Sequence, residues 1–90
     1  VAETFHLQVA TPEKLLVDAD VISAQIPCKN GYIGVLPDHA ALLSELGDDE
    51  LSYVTPANET RKLAIHAGFV EVLDNHVRIL TEEAPPEKQQ

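Results

Sequence analysis

The run Gly31-Tyr32-Ile33-Gly34-Val35-Leu36-Pro37-Asp38-His39-Ala40-Ala41-Leu42-Leu43 decides how this chain must fold. It begins extended, with Gly31 and Gly34 where a backbone bends or another backbone comes close. Pro37 has no N–H for a ladder and biases Leu36 toward an extended conformation, so the strand ends there. Asp38 and His39 form a polar corner. Ala40 to Leu43 follow as a short apolar turn. The pattern predicts a strand that leaves its sheet, turns tightly and plugs the end of a core.

Upstream of this run, Cys28-Lys29-Asn30-Gly31 reads as a hairpin turn, because Asn-Gly supplies the backbone such turns need. Val21 to Pro27 is the strand that enters it, with Ile22, Ala24 and Ile26 on one face. Lys14 to Asp18 is an earlier strand, with a bend at Asp18-Ala19-Asp20. Phe5, Leu7 and Val9 alternate with polar neighbours, the period of a half-buried strand. Ala10-Thr11-Pro12-Glu13 has turn chemistry.

Downstream, Leu42 to Leu46 reads equally as one helical turn or a short strand. Gly47 to Glu50 is a loop. Leu51 to Thr55 and Thr60 to His66 are strands around a turn at Pro56-Ala57-Asn58-Glu59, with Leu63, Ile65 and Ala67 inward. Gly68 allows a sharp passage into Phe69 to Leu73. Asp74-Asn75 suits a two-residue primed turn before His76 to Leu80. Eight or more short strands at close intervals, with no helical period, predict an all-β antiparallel sandwich or flattened barrel. The expected core is Phe5, Leu7, Val9, Ile22, Ile26, Val35, Leu63, Ile65, Val70, Val72, Val77 and Ile79. Residues 1–84 are expected to form the domain, and 85–90 a tail without periodicity.

Composition narrows the function. At ninety residues, folding buries roughly 60–65% of the unfolded chain's surface, enough for one thin core. Fifteen Asp and Glu stand against six Lys and Arg, a net charge of −9. Such a surface repels phosphate backbones and anionic lipid, so nucleic acid is not an expected partner. No run approaches the ~18 apolar residues of a spanning helix, and Val1 to His6 lack the features of a signal peptide. The single cysteine, Cys28, excludes an intrachain disulfide.

Chemistry is sparse. His6, His39, His66 and His76 lack the ligand spacing of a metal site, so no metal or other cofactor is expected. Asp38-His39 resembles a base with its orienter, but no nucleophile motif accompanies it. There is no phosphate-binding Gly-x-x-x-x-Gly-Lys-Ser/Thr loop. No catalytic residue is expected.

The stretch from Gly31 to Leu43 also resembles the Gly-x-x-Gly-(apolar)-x-Pro-Gly-His-Ala-Pro-Leu-(apolar) signature of the epsilon subunit of F-type ATP synthases, called delta in mitochondria. Ala67-Gly68-Phe69-Val70-Glu71-Val72 and Asn75-His76-Val77-Arg78-Ile79-Leu80 resemble two further family segments, in the same order. The resemblance covers residues about 4 to 84 and implies an all-β, two-layer antiparallel β-sandwich of about ten short strands in the rotor, or central stalk. It implies that His39, Ala40, Ala41 and Leu42 face the gamma subunit. It implies that the turn of Cys28, Lys29, Asn30, Gly31 and Tyr32 faces the polar loops of the membrane c-ring, with Cys28 a natural probe. A histidine that caps the corner through its own backbone is an alternative reading of His39. Departures from the signature are Tyr32 for an acidic or polar residue, Asp38 and Asp49 for glycines, and Ala41 for proline. Asp tolerates positive φ better than most residues.

The implied role is non-catalytic: to couple proton flow to ATP synthesis, peripheral to the cytoplasmic face of a bacterial inner membrane or the equivalent organelle face. The carboxy-terminal helical hairpin of longer members is absent here, and Pro85-Pro86 opposes one. ATP binding and inhibition of hydrolysis by helix extension are therefore not expected of these residues. The alternative is a small sandwich that binds a soluble ligand or another protein, which calls for a concave apolar pocket.

Overall fold

A computed structural model describes residues 3–82. It contains nine strands: β1 (Phe5–Ala10), β2 (Leu15–Val21), β3 (Ser23–Cys28), β4 (Gly31–Val35), β5 (Leu42–Glu45), β6 (Asp49–Val54), β7 (Thr60–Ile65), β8 (Gly68–Leu73) and β9 (His76–Thr81). They form a five-stranded sheet, ordered β2-β1-β9-β8-β5, and a four-stranded sheet, ordered β4-β3-β6-β7. This is the expected all-β sandwich, with nine strands described rather than about ten. One pair departs from the antiparallel pattern: β1 and β9 run parallel, with Leu7 opposite Val77 and Val9 opposite Ile79. The expected tail, Pro85-Pro86 included, lies outside the described residues.

Alternation builds the core. Phe5, Leu7 and Val9 of β1 point inward, as do Val70 and Val72 of β8 and Val77 and Ile79 of β9. Ala24, Ile26, Val35, Leu51 and Ile65 meet them from the other sheet. Each large side chain removed from water contributes about 1.5–3 kcal/mol. Ile22 and Leu63 are only half-buried, whereas Val21, Leu46, Leu51 and Cys28 are inside.

Ile22 misses the core because the chain changes sheets there. β2 runs unbroken through Asp18-Ala19-Asp20 to Val21, which pairs with Phe5. The expected bend at those aspartates does not exist. Aspartate is a poor strand former, but both face outward and take a cross-strand partner in His6. Ile22 then donates its N–H to Val54 O at 2.9 Å and joins the other sheet.

The run from Gly31 to Leu43 does leave one sheet for the other. β4 is an edge of the four-stranded sheet and β5 an edge of the five-stranded sheet. Between them, His39 N–H bonds Leu36 O at 3.2 Å, closing a turn over Pro37 and Asp38. Proline first and a positive φ second is the pattern of a type II turn, and Asp38 has φ 67°. Asp38 thus stands where glycine would be easiest. Asp49 has no such conformation; it opens β6 opposite Ile65. The corner does not plug the core, since Ala40, Ala41 and Leu43 are exposed.

Candidate functional site

The two sets of sequence-predicted site residues lie at opposite ends of β4, five residues long, roughly 15 Å apart at the usual strand rise. The structure does not bring them together. Each set is instead tied to other connections at its own end.

At the hairpin end, Lys29 and Asn30 are the turn residues, and Cys28 pairs with Gly31. Positive φ falls on Gly31, at 120°, rather than within an Asn-Gly primed turn. Cys28 is 8% exposed, so its thiol faces the core and is a poor surface probe. Lys29 and Asn30 are exposed. The tip is held from behind: Lys29 N–H bonds Glu45 O at 3.1 Å, and Gly47 N–H bonds Pro27 O at 3.0 Å. Lys29 Nζ lies 3.6 Å from Glu45 Oε1, an exposed pair worth little energetically. The Tyr32 hydroxyl donates to Glu50 O at 2.8 Å, and its ring is half exposed. Desolvation and then the Asp49 carboxylate raise the phenol pKa above its ordinary value, so it stays a neutral donor. This end offers polar groups on a braced loop, with Glu45, Asp49 and Glu50 close by.

At the corner end, the His39 Nδ1–H donates to Ala40 O at 2.7 Å. That is the backbone-capping arrangement, and it leaves the half-buried ring with one free nitrogen. Asp38 and Asn75 link the corner to the β8–β9 turn, where Asp74 (φ 48°) and Asn75 (φ 61°) form the expected primed pair. An open cleft of about 370 Å³ lies here, lined by Asp38, His39, Ala41, Leu73, Asp74 and Asn75. Its lining holds no serine, threonine or cysteine, so the Asp38-His39 pair has no nucleophile beside it.

Leu42 points toward the core and Leu43 away from it, because β5 is a strand. Leu43 is 73% exposed, Leu36 62% and Leu73 49%. All three were missed from the sequence: Leu43 and Leu73 lie beside Ala41, and Leu36 starts the turn that His39 closes. Reading Leu42–Glu45 as a strand rather than a turn would have revealed Leu43. A second apolar area lies on the outer face of the five-stranded sheet, where exposed Phe69 pairs with exposed Leu80. Among the described residues no group of three or more His, Cys, Asp or Glu is arranged to hold a metal ion. Nor is any described helix long and apolar enough to cross a membrane.

A sequence model of the ATP synthase, Delta/Epsilon chain, beta-sandwich domain matches residues 4–87. The ATP synthase epsilon chain of Solibacter usitatus is 48% identical over 82 residues, which are 91% of this chain and 60% of that protein. That of Koribacter versatilis is 49% identical over 83 residues, 92% of this chain and 58% of that one. The chain therefore spans about 60% of the length of these curated relatives. A chain in the Euglena gracilis mitochondrial ATP synthase, OSCP/F1/c-ring, superposes with TM-score 0.86 and 25% identity, over 96% of this chain and 55% of that chain. One in the Tetrahymena thermophila mitochondrial ATP synthase central stalk/c-ring structure gives TM-score 0.73 at 17% identity, over 91% and 66%. At that identity the likeness speaks to fold alone.

Proposed function

Because the chain belongs to the ATP synthase delta/epsilon β-sandwich family, we propose that it is a non-catalytic rotor subunit of the central stalk. In this reading it links gamma to the c-ring and couples proton translocation to ATP synthesis. The observation that carries it is the opposition of two different surfaces on one braced body. The corner end offers Ala41 and Leu73 in the cleft with His39, exposed Leu43 beside them, and exposed Leu36 at the start of the turn. The hairpin end offers polar Lys29 and Asn30.

A coupling subunit needs adhesion at both ends and stiffness between them. Exposed leucines suit a protein partner, because burying them removes apolar surface from water. Polar turn residues suit the polar loops of a ring. Stiffness comes from side chains that lock the connections. Thr81 Oγ1 donates to His66 O and accepts from His66 N–H, both at 2.9 Å. Asp48 Oδ1 accepts from Ala67 N–H at 2.8 Å. Torque applied at one end then reaches the other with little give.

The contacts proposed are His39, Ala40, Ala41 and Leu42 with gamma, joined by Leu43. Lys29, Asn30 and Tyr32 meet the c-ring, with Cys28 and Gly31 shaping the turn from behind. The protein sits peripherally on the cytoplasmic face of a bacterial inner membrane, or the equivalent organelle face, held through the complex. Nucleic acid is not a partner, and these residues bind no ATP. The test is reconstitution into membrane vesicles carrying the parent enzyme stripped of this subunit. Restored ATP-driven proton pumping supports the reading. Hydrolysis without pumping, after the chain is added back, contradicts it.

A further inference from the structure

His6 stands between two carboxylates of the neighbouring edge strand. Its Nδ1 lies 2.9 Å from Asp20 Oδ1, and its Nε2 contacts Asp18 Oδ1. A neutral imidazole carries one N–H and one lone pair. It therefore satisfies one carboxylate and turns a lone pair on the other. Only the imidazolium donates to both at once. The two aspartates sit on opposite sides of the ring, so they do not converge on a point where a cation would bind.

The strand that carries them lies at an edge: among the described residues β2 pairs with β1 alone. Its ladder is irregular where Val9 and Ala10 meet Val17 and Leu15. The clasp falls midway along β2, between that irregularity and the buried Val21. We propose that His6 is a proton-dependent clasp that holds edge strand β2 against β1, so that loss of the proton loosens this edge while the rest of the sandwich stays closed.

Other polar groups surround the ring. From β2 the groups facing His6 are Asp18 and Asp20. From β9 they are His76, with ring centroids 5.9 Å apart, and Arg78 one pair further along. His76 Nδ1–H donates to Asp74 O at 3.1 Å. On β1 itself, uncharged Gln8 donates to Asp18 Oδ1 at 3.4 Å. The bonds to Asp20 and then Asp18 raise the His6 pKa above its ordinary value of 6.5, against an opposing effect of burial. A group whose folded pKa is raised stabilises fully below its unfolded value and stops doing so as pH rises through the folded one. The edge is therefore closed below the ordinary histidine pKa and loosens as pH rises through the raised His6 value. Deprotonation also leaves Asp18 and Asp20 facing each other across the ring without a cation between them.

The test is nuclear magnetic resonance on the ninety-residue chain between pH 5 and 9. It follows the His6 ring resonance and the amide protection of each strand, corrected for intrinsic exchange. His6 should titrate above its ordinary value. Protection of β2 amides should fall several-fold across that titration, while β6 and β7 hold. In His6→Gln, and independently in the Asp18→Asn, Asp20→Asn double variant, the pH dependence of β2 should vanish. Flat β2 protection across the His6 titration would overturn the proposal. So would the same fall in His6→Gln, or a His6 that titrates at or below its ordinary value.

Discussion

Asp38 and Asn75 hold each other across the corner end: the Asp38 N–H donates to Asn75 Oδ1 at 2.6 Å, and Asn75 Nδ2 donates to Asp38 Oδ1 at 3.0 Å. Two turns of positive φ, far apart in the chain, become one rigid corner. Asn75→Ala removes both bonds and puts a residue less tolerant of the left-handed region than asparagine at φ 61°. It should cost about 1–3 kcal/mol. Asn75→Gly relieves the backbone and should cost less. Urea unfolding of the pair separates the bonds from the backbone term. Equal, negligible losses would mean that solvent replaces the clasp.

Gly68 admits no substitute. Its φ is 113°, and an added Cβ would lie 1.9 Å from Leu80 O. The obstruction is backbone, so no side chain can swing away. Gly68→Ala should lose more than about 3 kcal/mol, a large share of a typical domain's ~5–15 kcal/mol. A loss under about 1 kcal/mol would show that the β8–β9 pairing shifts freely.

Thr81 is the buried polar residue among those described, 2% exposed, and it serves both the N–H and the carbonyl of His66. Thr81→Val keeps the shape but leaves the His66 N–H unpaired, while the His66 carbonyl still accepts from Glu82 N–H, and should cost about 1–3 kcal/mol. Thr81→Ser should recover most of this. Failure of serine to do so would assign the loss to packing.

Leu42 and Leu43 separate fold from function. Leu43→Asp changes a side chain that is 73% exposed, and should alter stability by no more than about 0.5 kcal/mol. It should nevertheless weaken gamma binding, because an unpaired charge buried in an interface is costly. Leu42→Asp should destabilise the chain itself. Calorimetric titration with gamma, alongside thermal unfolding, distinguishes the two. Undiminished affinity in Leu43→Asp would place the contact elsewhere.

What the sequence showed and what it hid have physical reasons. The strands of Phe5, Leu7 and Val9, and of Val77 and Ile79, were legible because each alternates strictly. The Asp74-Asn75 turn was legible from its chemistry, and Pro37 marked the corner. Asp18-Ala19-Asp20 read as a bend because the partner that makes two aspartates acceptable in a strand, His6, lies on another strand. That error moved the sheet change and replaced Val21 by Ile22 in the expected core. The parallel β1–β9 pair is a contact between the two ends of the fold, which local period cannot reveal. Cys28 looked accessible because its neighbours are turn residues, yet Leu46 bridges to it from the next connection. At the corner, the unresolved choice between helical turn and strand concealed Leu43.

The central claim is that the two ends of the sandwich meet different partners. Site-specific photo-crosslinking in the assembled enzyme tests it most directly, with one photoreactive residue placed at Asn30 and another at Ala41, both exposed. The account predicts that position 30 captures the c subunit and position 41 captures gamma. Capture of one partner from both positions, or of the two partners reversed, would contradict it.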